Sequence, residues 1–96
     1  MYLKVHRSPE GEVVAVCDAD LLGTTLSHGD VQVSITGAFY GTERATEEEV
    51  RSALKNASNA NLMGEKAVGI AIAMGLITEE GCISVGGVPH ALIISI

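Results

Sequence analysis

A few polar side chains in this sequence are of types that could bind a ligand or take part in a reaction. Carboxylates and a neutral imidazole serve as acids, bases or ligands, and an amide can both donate and accept hydrogen bonds. A glycine between two such residues leaves room for a ligand to approach the backbone. The candidate binding residues are Asn61, Gly64, Glu65, His90 and Asp20, and His6 is a further polar candidate.

The histidine at position 90 follows Pro89, which fixes the backbone and would present the imidazole. One interpretation is a structural hydrogen bond, and the other is an acid, base or ligand. We expect Glu65 and His90 to share one pocket. The sequence contains no nucleophile elbow, phosphate-binding loop or metalloprotease motif. No residue is therefore assigned as catalytic, and whether the protein is an enzyme stays open.

The segment around Asn61 has the signals of a helix start. Asn61 is a good N-cap, and Glu65 would lie in the first turn, where the helix dipole favours an acid. A plain capped start is one interpretation. An anion or ligand held by free N–H groups beside Gly64 is the other; Lys66 supports it and Glu65 weakens it.

Two aspartates, Asp18 and Asp20, precede Leu21-Leu22-Gly23. The pattern predicts a single helical turn with an acid at its start and a glycine at its end. A calcium loop would need further acids and a glutamate at its end, so capping is favoured over cation binding.

The two cysteines, Cys17 and Cys82, lack the paired spacing of a zinc site. We interpret them as small buried hydrophobic residues within strands. No metal and no cofactor is expected.

Composition narrows the possible partners. The 96 residues suit one domain, and 47% of them are hydrophobic. The net charge is −6 with only six basic residues, which argues against direct nucleic-acid binding and favours a basic protein partner. Met1 leads straight into a strand pattern without a signal peptide. We expect a cytoplasmic protein that does not enter a membrane.

The chain is organised around the apolar stretch 61–77, which predicts a helix that is buried on most sides and ends at Gly75. It is too short to span a membrane. Gly69 and Ala73 lie one turn apart and predict a small-residue strip for close packing, with a ligand against the glycine as the alternative.

The remaining elements predict an α+β fold. Alternating and apolar segments predict strands, and Thr46 with Glu49 forms a capping box that opens an amphipathic helix. Phe39-Tyr40-Gly41 is expected to close the sheet edge. The order is β-β-β-α-α-β-β, a mixed sheet of about five strands with two sequential helices on one face. The predicted strands are 2–7, 12–17, 30–36, 82–85 and 91–96, with 24–29 as a loop, Gly86-Gly87 as a hairpin turn and 88–90 as an irregular or edge segment.

The last strand is apolar to its end at Ile96. Such a strand needs cover from the sheet, from the second helix or from another subunit. A homo-oligomer built on this strand is therefore one possible assembly.

Several short motifs are distributed along the chain: Tyr2-Leu3-Lys4-Val5-His6-Arg7, Val14-Ala15-Val16-Cys17-Asp18, Leu21-Leu22-Gly23, Phe39-Tyr40, Asn61-Leu62-Met63-Gly64-Glu65-Lys66-Ala67-Val68 and Val88-Pro89-His90-Ala91. Together they resemble an archaeal family catalogued as domain of unknown function 424, over essentially the whole chain. The resemblance implies a small cytosolic archaeal protein with an α+β fold and no established activity.

The sequence leaves three functions open. The first is a non-enzymatic binding or accessory protein, serving RNA processing or translation through a protein partner. The second is a small-ligand-binding protein or small enzyme that uses Asn61, Glu65 and His90 at the start of the second helix. The third is a structural homo-oligomer.

Overall fold

The computed structural model describes residues 1–94, which form an α+β fold around a five-stranded mixed sheet with the strand order β1-β2-β5-β7-β6. A separate two-stranded hairpin and three helices pack on this sheet. The elements are β1 (Tyr2–Ser8), β2 (Gly11–Cys17), β3 (Thr25–His28), β4 (Val31–Ser34), α1 (Gly37–Tyr40), α2 (Glu47–Lys55), β5 (Asn59–Met63), α3 (Glu65–Ala73), β6 (Ile83–Val85) and β7 (Val88–Ile94).

Strand β2 lies inside the sheet, as its apolar sequence predicts. It pairs with β1 in an antiparallel hairpin and with β5 in parallel. Four consecutive residues, Val14 to Cys17, are buried because both faces of the strand are covered. The parallel neighbour requires a long crossover, and α2 forms part of that connection.

The first face of the sheet is covered by α2 and α3, so the prediction of two helices on one face is confirmed. Val16 of β2 and Leu62 of β5 are fully buried there, against Val50 of α2 and Ala67 of α3. The start of α2 has the predicted capping box: Thr46 and Glu49 each accept a hydrogen bond from the other's backbone N–H.

The segment 59–63 is a strand, whereas the sequence predicts that a helix starts around Asn61. It lies between β2 and β7, and Ala60, Leu62 and Met63 are buried. Two asparagines give it low strand propensity, and its apolar residues merge with the helix that follows. Burial in the sheet centre overrides that propensity. The two helices are consequently separated by a strand rather than sequential.

The end of α3 follows the sequence prediction. Gly75 has a φ of 75°, and its N–H donates to the Ile72 carbonyl while the Leu76 N–H donates to the Ala71 carbonyl. This pair of bonds is a Schellman motif, which satisfies carbonyls that the helix leaves free.

The prediction of close packing on Gly69 and Ala73 is wrong. Both residues are exposed, and no atom lies within 4 Å of the position of a Cβ on Gly69. The helix buries one side against the sheet and leaves this strip facing solvent. None of the helices in residues 1–94 is long and apolar enough to cross a membrane.

The second face of the sheet is covered over one half only. The predicted strand 30–36 pairs with the predicted loop 24–29, and the resulting β3–β4 hairpin packs on this face instead of joining the main sheet. Phe39 and Tyr40 form the short helix α1 over the face rather than the sheet edge.

The last hairpin is confirmed with one change. Gly86 and Gly87 both have positive φ, as a two-residue turn of this type requires, and they join β6 to β7. Residues 88–90 pair regularly with β6 rather than forming an irregular segment. The predicted strand 91–96 is observed to Ile94; its last two residues lie outside the described part.

Candidate functional site

The five predicted binding residues fall into two groups. Asp20, Gly64 and Glu65 line one cleft of about 280 Å³ at the start of α3. Asn61 and His90 meet on the second face of the sheet, where Asn61 lies opposite Leu92 on β7. His90 is not among the residues that line the two clefts at Glu65, and its side chain contacts Asn61 instead.

The start of α3 is capped by Asp18 and not by Asn61. The Asp18 carboxylate accepts hydrogen bonds from the backbone N–H groups of Lys66 at 3.0 Å and of Ala67 at 2.9 Å. Asp18 is buried, and its charge lies where the helix dipole favours an acid. It makes no side-chain cap on the 3₁₀ turn Ala19–Leu21, although the sequence favours that local role.

A glycine at position 64 makes this arrangement possible. Its φ is 110°, and a Cβ at this position would lie 2.3 Å from the Asp18 carboxyl carbon. The capping carboxylate therefore packs directly on bare backbone. Sequence reasoning missed this cap because the acid and the helix are far apart in the chain, and only the β2–β5 pairing joins them.

The cleft beside this cap has an acidic character. Asp18, Asp20 and Glu65 all line it, together with Leu21 and Pro89. Since the chain's own carboxylate already occupies N–H groups at the helix start, the predicted anion site is not available at those groups. In residues 1–94, no cluster of three or more metal-ligating side chains is arranged to hold a metal ion.

The asparagine at position 61 connects a buried tyrosine to the exposed part of the sheet. Its Oδ1 accepts a hydrogen bond from the Tyr40 hydroxyl at 2.8 Å and lies 3.3 Å from His90 Nε2. An amide oxygen can only accept, so His90 donates from Nε2, and Nδ1 is then the acceptor of the neutral ring. The hydrogen-bonded row presents an Asn61 amide and a His90 acceptor side by side.

Burial sets the protonation of this row. It lowers the pKa of His90 and so favours the neutral imidazole. Burial also raises the pKa of Tyr40 to about 12, with a smaller effect from Cys17. The pKa of the Cys17 thiol rises to about 11, first through burial and then through Asp18, so the thiol is a poor nucleophile.

Beyond this row, the second face of the sheet is apolar and exposed. Leu92 is 55% exposed, Ile94 is 73% exposed, and Ile83, which pairs with His90, is 58% exposed. Directly opposite residues of neighbouring strands share a face, so these side chains form one continuous surface. We call this surface the open patch; it consists of Ile83, His90, Leu92, Ile94, Asn59 and Asn61.

His6 and the two cysteines lie outside the open patch. His6 donates to or accepts from no partner in the open patch; its Nε2 lies 2.6 Å from the Phe39 carbonyl, and its ring stacks on Phe39. Cys17 belongs to the core of the second face and Cys82 packs against the core of the first, so the two thiols are free and on opposite sides.

Comparison with known proteins agrees with this fold. A crystal structure of an uncharacterized conserved protein from the archaeon Methanopyrus kandleri superimposes with a TM-score of 0.81 and 27% sequence identity, covering 99% of this chain and 92% of that chain. No curated protein matches the chain significantly. The sequence model of the family described as protein of unknown function (DUF424) matches residues 6–96, and the chain therefore belongs to that family.

Proposed function

We propose that this chain is a non-enzymatic binding protein that attaches to a protein partner through the open patch. The observation that carries the proposal is the exposure of Ile83, Leu92 and Ile94 side by side on a regular sheet. Contiguous exposed apolar side chains with a polar border are typical of protein interfaces. Asn61 and His90 supply that border on one side.

The chemistry of the patch favours protein over nucleic acid. None of its six residues carries a permanent charge, and the whole chain carries −6. Nucleic-acid binding depends on clustered lysine and arginine. Because the patch itself is uncharged, it suits a partner that offers an apolar surface without opposed carboxylates. We assign this activity to the cytoplasm, as an accessory step in RNA processing or translation reached through that protein.

The test is affinity capture from a native lysate of the source organism, with protein and RNA both quantified. The wild type is compared with Leu92→Lys, which puts a charge in the centre of the patch. The matched control is Val31→Lys, because Val31 is 60% exposed on the separate hairpin. We expect the control to retain a protein partner that Leu92→Lys loses. RNA should be recovered only when that protein is also captured. Equal capture by all three chains would contradict the proposal.

A second candidate function is binding of a small cationic ligand. It is favoured by the cleft at the start of α3, where Asp20 and Glu65 place carboxylates beside Gly64. A second cleft of about 330 Å³ shares Glu65 and runs along Gly69 to Cys82.

This second candidate is tested by thermal denaturation with a panel of amines and polyamines. A ligand that binds the folded state raises the Tm. The shift should disappear in Glu65→Gln and persist in Glu48→Gln, an exposed acid on α2. No shift with any amine, or an equal shift in both variants, would exclude the cleft.

A further inference from the structure

The two edges of the main sheet differ in how well they are covered. Along β1, the segment that follows α1 crosses the edge: Tyr2 bridges Arg44, and the Ala45 N–H donates to the Met1 carbonyl at 2.8 Å. The strand itself carries Lys4 and Arg7. Charged side chains and covering segments prevent an edge from pairing with another chain.

The β7 edge has such protection over its first half only. Strand β6 pairs with Val88 to His90 and ends there. Within residues 1–94, no strand pairs with the outer side of 91–94. This half carries no charge and no proline, since Pro89 lies in the part that β6 covers.

The hydrogen-bond phase shows which backbone groups the open edge offers. The Gly64 N–H donates to the Pro89 carbonyl, so the backbone N–H and C=O groups of the odd-numbered residues of β7 point toward β5. Backbone groups alternate in direction along a strand. The N–H and C=O groups of Leu92 and Ile94 therefore point outward, and the side chains of the same residues lie in the open patch.

We propose that the protein on this surface is a second copy of the chain, paired antiparallel along the β7 edge about a two-fold axis at Ile93. This inference rests on the proposed function, because it names the partner of the open patch. Leu92 then exchanges two backbone hydrogen bonds with Ile94 of the second copy, and Ile94 does the same with Leu92. The two sheets join into one sheet of ten strands.

The identity of the partner follows from self-complementarity. A two-fold axis brings the same surface of both copies together, so the surface must tolerate itself. Two chains of −6 repel each other, and the uncharged half of β7 is a place where they meet without opposed carboxylates. In this register, Leu92 of one copy lies beside Ile94 of the other, so these two exposed apolar side chains pack against each other across the joined edges. Pairing stops at Leu92 because β6 occupies the edge beyond it.

The test is sedimentation velocity across a concentration series of the full, untagged chain. We expect the wild type at twice 10.0 kDa and Leu92→Lys at the monomer mass, with Val31→Lys still dimeric. Leu92→Pro removes one outward N–H without touching the bonds to β5, and it should also be monomeric. A wild type that stays monomeric at hundreds of micromolar would overturn the inference.

Amide hydrogen exchange separates edge pairing from other contacts and does not depend on any variant. We expect the Leu92 and Ile94 amides to become protected as the concentration rises through the dimerisation range. If the dimer survived Leu92→Pro, and the Leu92 and Ile94 amides of the wild type exchanged freely at dimer concentrations, the copies would be packed face to face and edge pairing would be overturned. A monomer that still captures a lysate protein through Leu92 would end this inference and leave the proposed function intact.

Discussion

The two halves of the second sheet face contain similar side chains in different surroundings. In the covered half, α1 lies over β1 and β2, and the β3–β4 hairpin extends the cover as far as β6. Ile35, from the segment between the hairpin and α1, is 1% exposed. Over the far part of β7, the face is uncovered, and Ile94 is 73% exposed. The boundary is the Tyr40–Asn61–His90 row, whose buried end is Tyr40 of α1 and whose other end lies at the open patch.

This difference separates side chains that stabilise the fold from side chains that remain free to contact another molecule. In the covered half, apolar side chains stabilise the fold through burial. In the open half they add little to the folded monomer, because they stay in water. Large exposed apolar patches often mark protein interaction sites, and this is the role we propose for the open patch. Matched residues from the two halves should therefore respond differently to substitution.

The largest difference is expected between two isoleucines. Ile35→Ala should lower the free energy of unfolding by about 2–5 kcal/mol, because it leaves a cavity in a sealed core. Ile83→Ala, from the open half, should change it by about 0.5 kcal/mol or less. Urea denaturation at low protein concentration measures both. Equal losses would show that the open half is buried in the monomer, and the distinction between the halves would fail.

Two glycines extend the comparison to α3. Gly64→Ala should lower the free energy of unfolding by about 2–4 kcal/mol, because the φ of residue 64 is 110° and the new Cβ would collide with Asp18. Gly69→Ala should raise stability by up to about 1 kcal/mol, since it adds helix propensity at an exposed position with free space around it. Thermal melts of both variants provide the measurement. A stable Gly64→Ala variant would argue against the Asp18 cap.

The boundary row should show an intermediate effect. Asn61→Ala removes the acceptor of the Tyr40 hydroxyl and should cost about 1–3 kcal/mol. Asn59→Ala, the neighbouring amide of the open patch beside exposed Ile94, is the control and should cost less. If Tyr40→Phe restored the stability of Asn61→Ala, the loss would be assigned to the unsatisfied hydroxyl. Additive losses in the double variant would contradict that assignment.

The smallest effect concerns pH. Burial lowers the pKa of His90 below its ordinary value of 6.5, so the unfolded chain binds this proton more readily than the folded one. The contribution of neutral His90 to the stability of the fold is therefore fully present above about pH 6.5, and it is lost as the pH falls below that value. We expect the Tm of His90→Gln to fall less between pH 7 and pH 5 than that of the wild type. His28→Gln, at an exposed position on the hairpin, should follow the wild type. An equal fall in His90→Gln and the wild type would show that His90 does not contribute.

The sequence predicted those elements whose signals are local. The capping box at Thr46, the end of α3 at Gly75 and the Gly86-Gly87 turn each depend on a few consecutive residues, and all three are confirmed. Strand β5 was not predicted, because it is stabilised by β2 and β7, which are distant from it in the chain. Its asparagines are the reason it resembles a helix start.

The candidate site was predicted as a set of residues but not as a geometry. Asn61 and His90 do meet, yet through the β5–β7 pairing and not at a helix start. Asp18 was assigned a local cap, and its partners lie on another element. The open patch could be anticipated only in part: the apolar ending of the chain indicated a need for cover, whereas the exposure of Ile83 depends on how far the β3–β4 hairpin extends over the sheet.

Site-specific photo-crosslinking in cells of the source organism would show whether the open patch is a protein-binding surface. A benzoylphenylalanine is placed at Leu92 in one chain and at Val31 in another, because both side chains are more than half exposed. We predict a discrete protein crosslink from position 92, with a second copy of the chain among the products, and none from position 31. Crosslinks of the same pattern and amount from both positions, or none from position 92, would contradict a binding role for the patch.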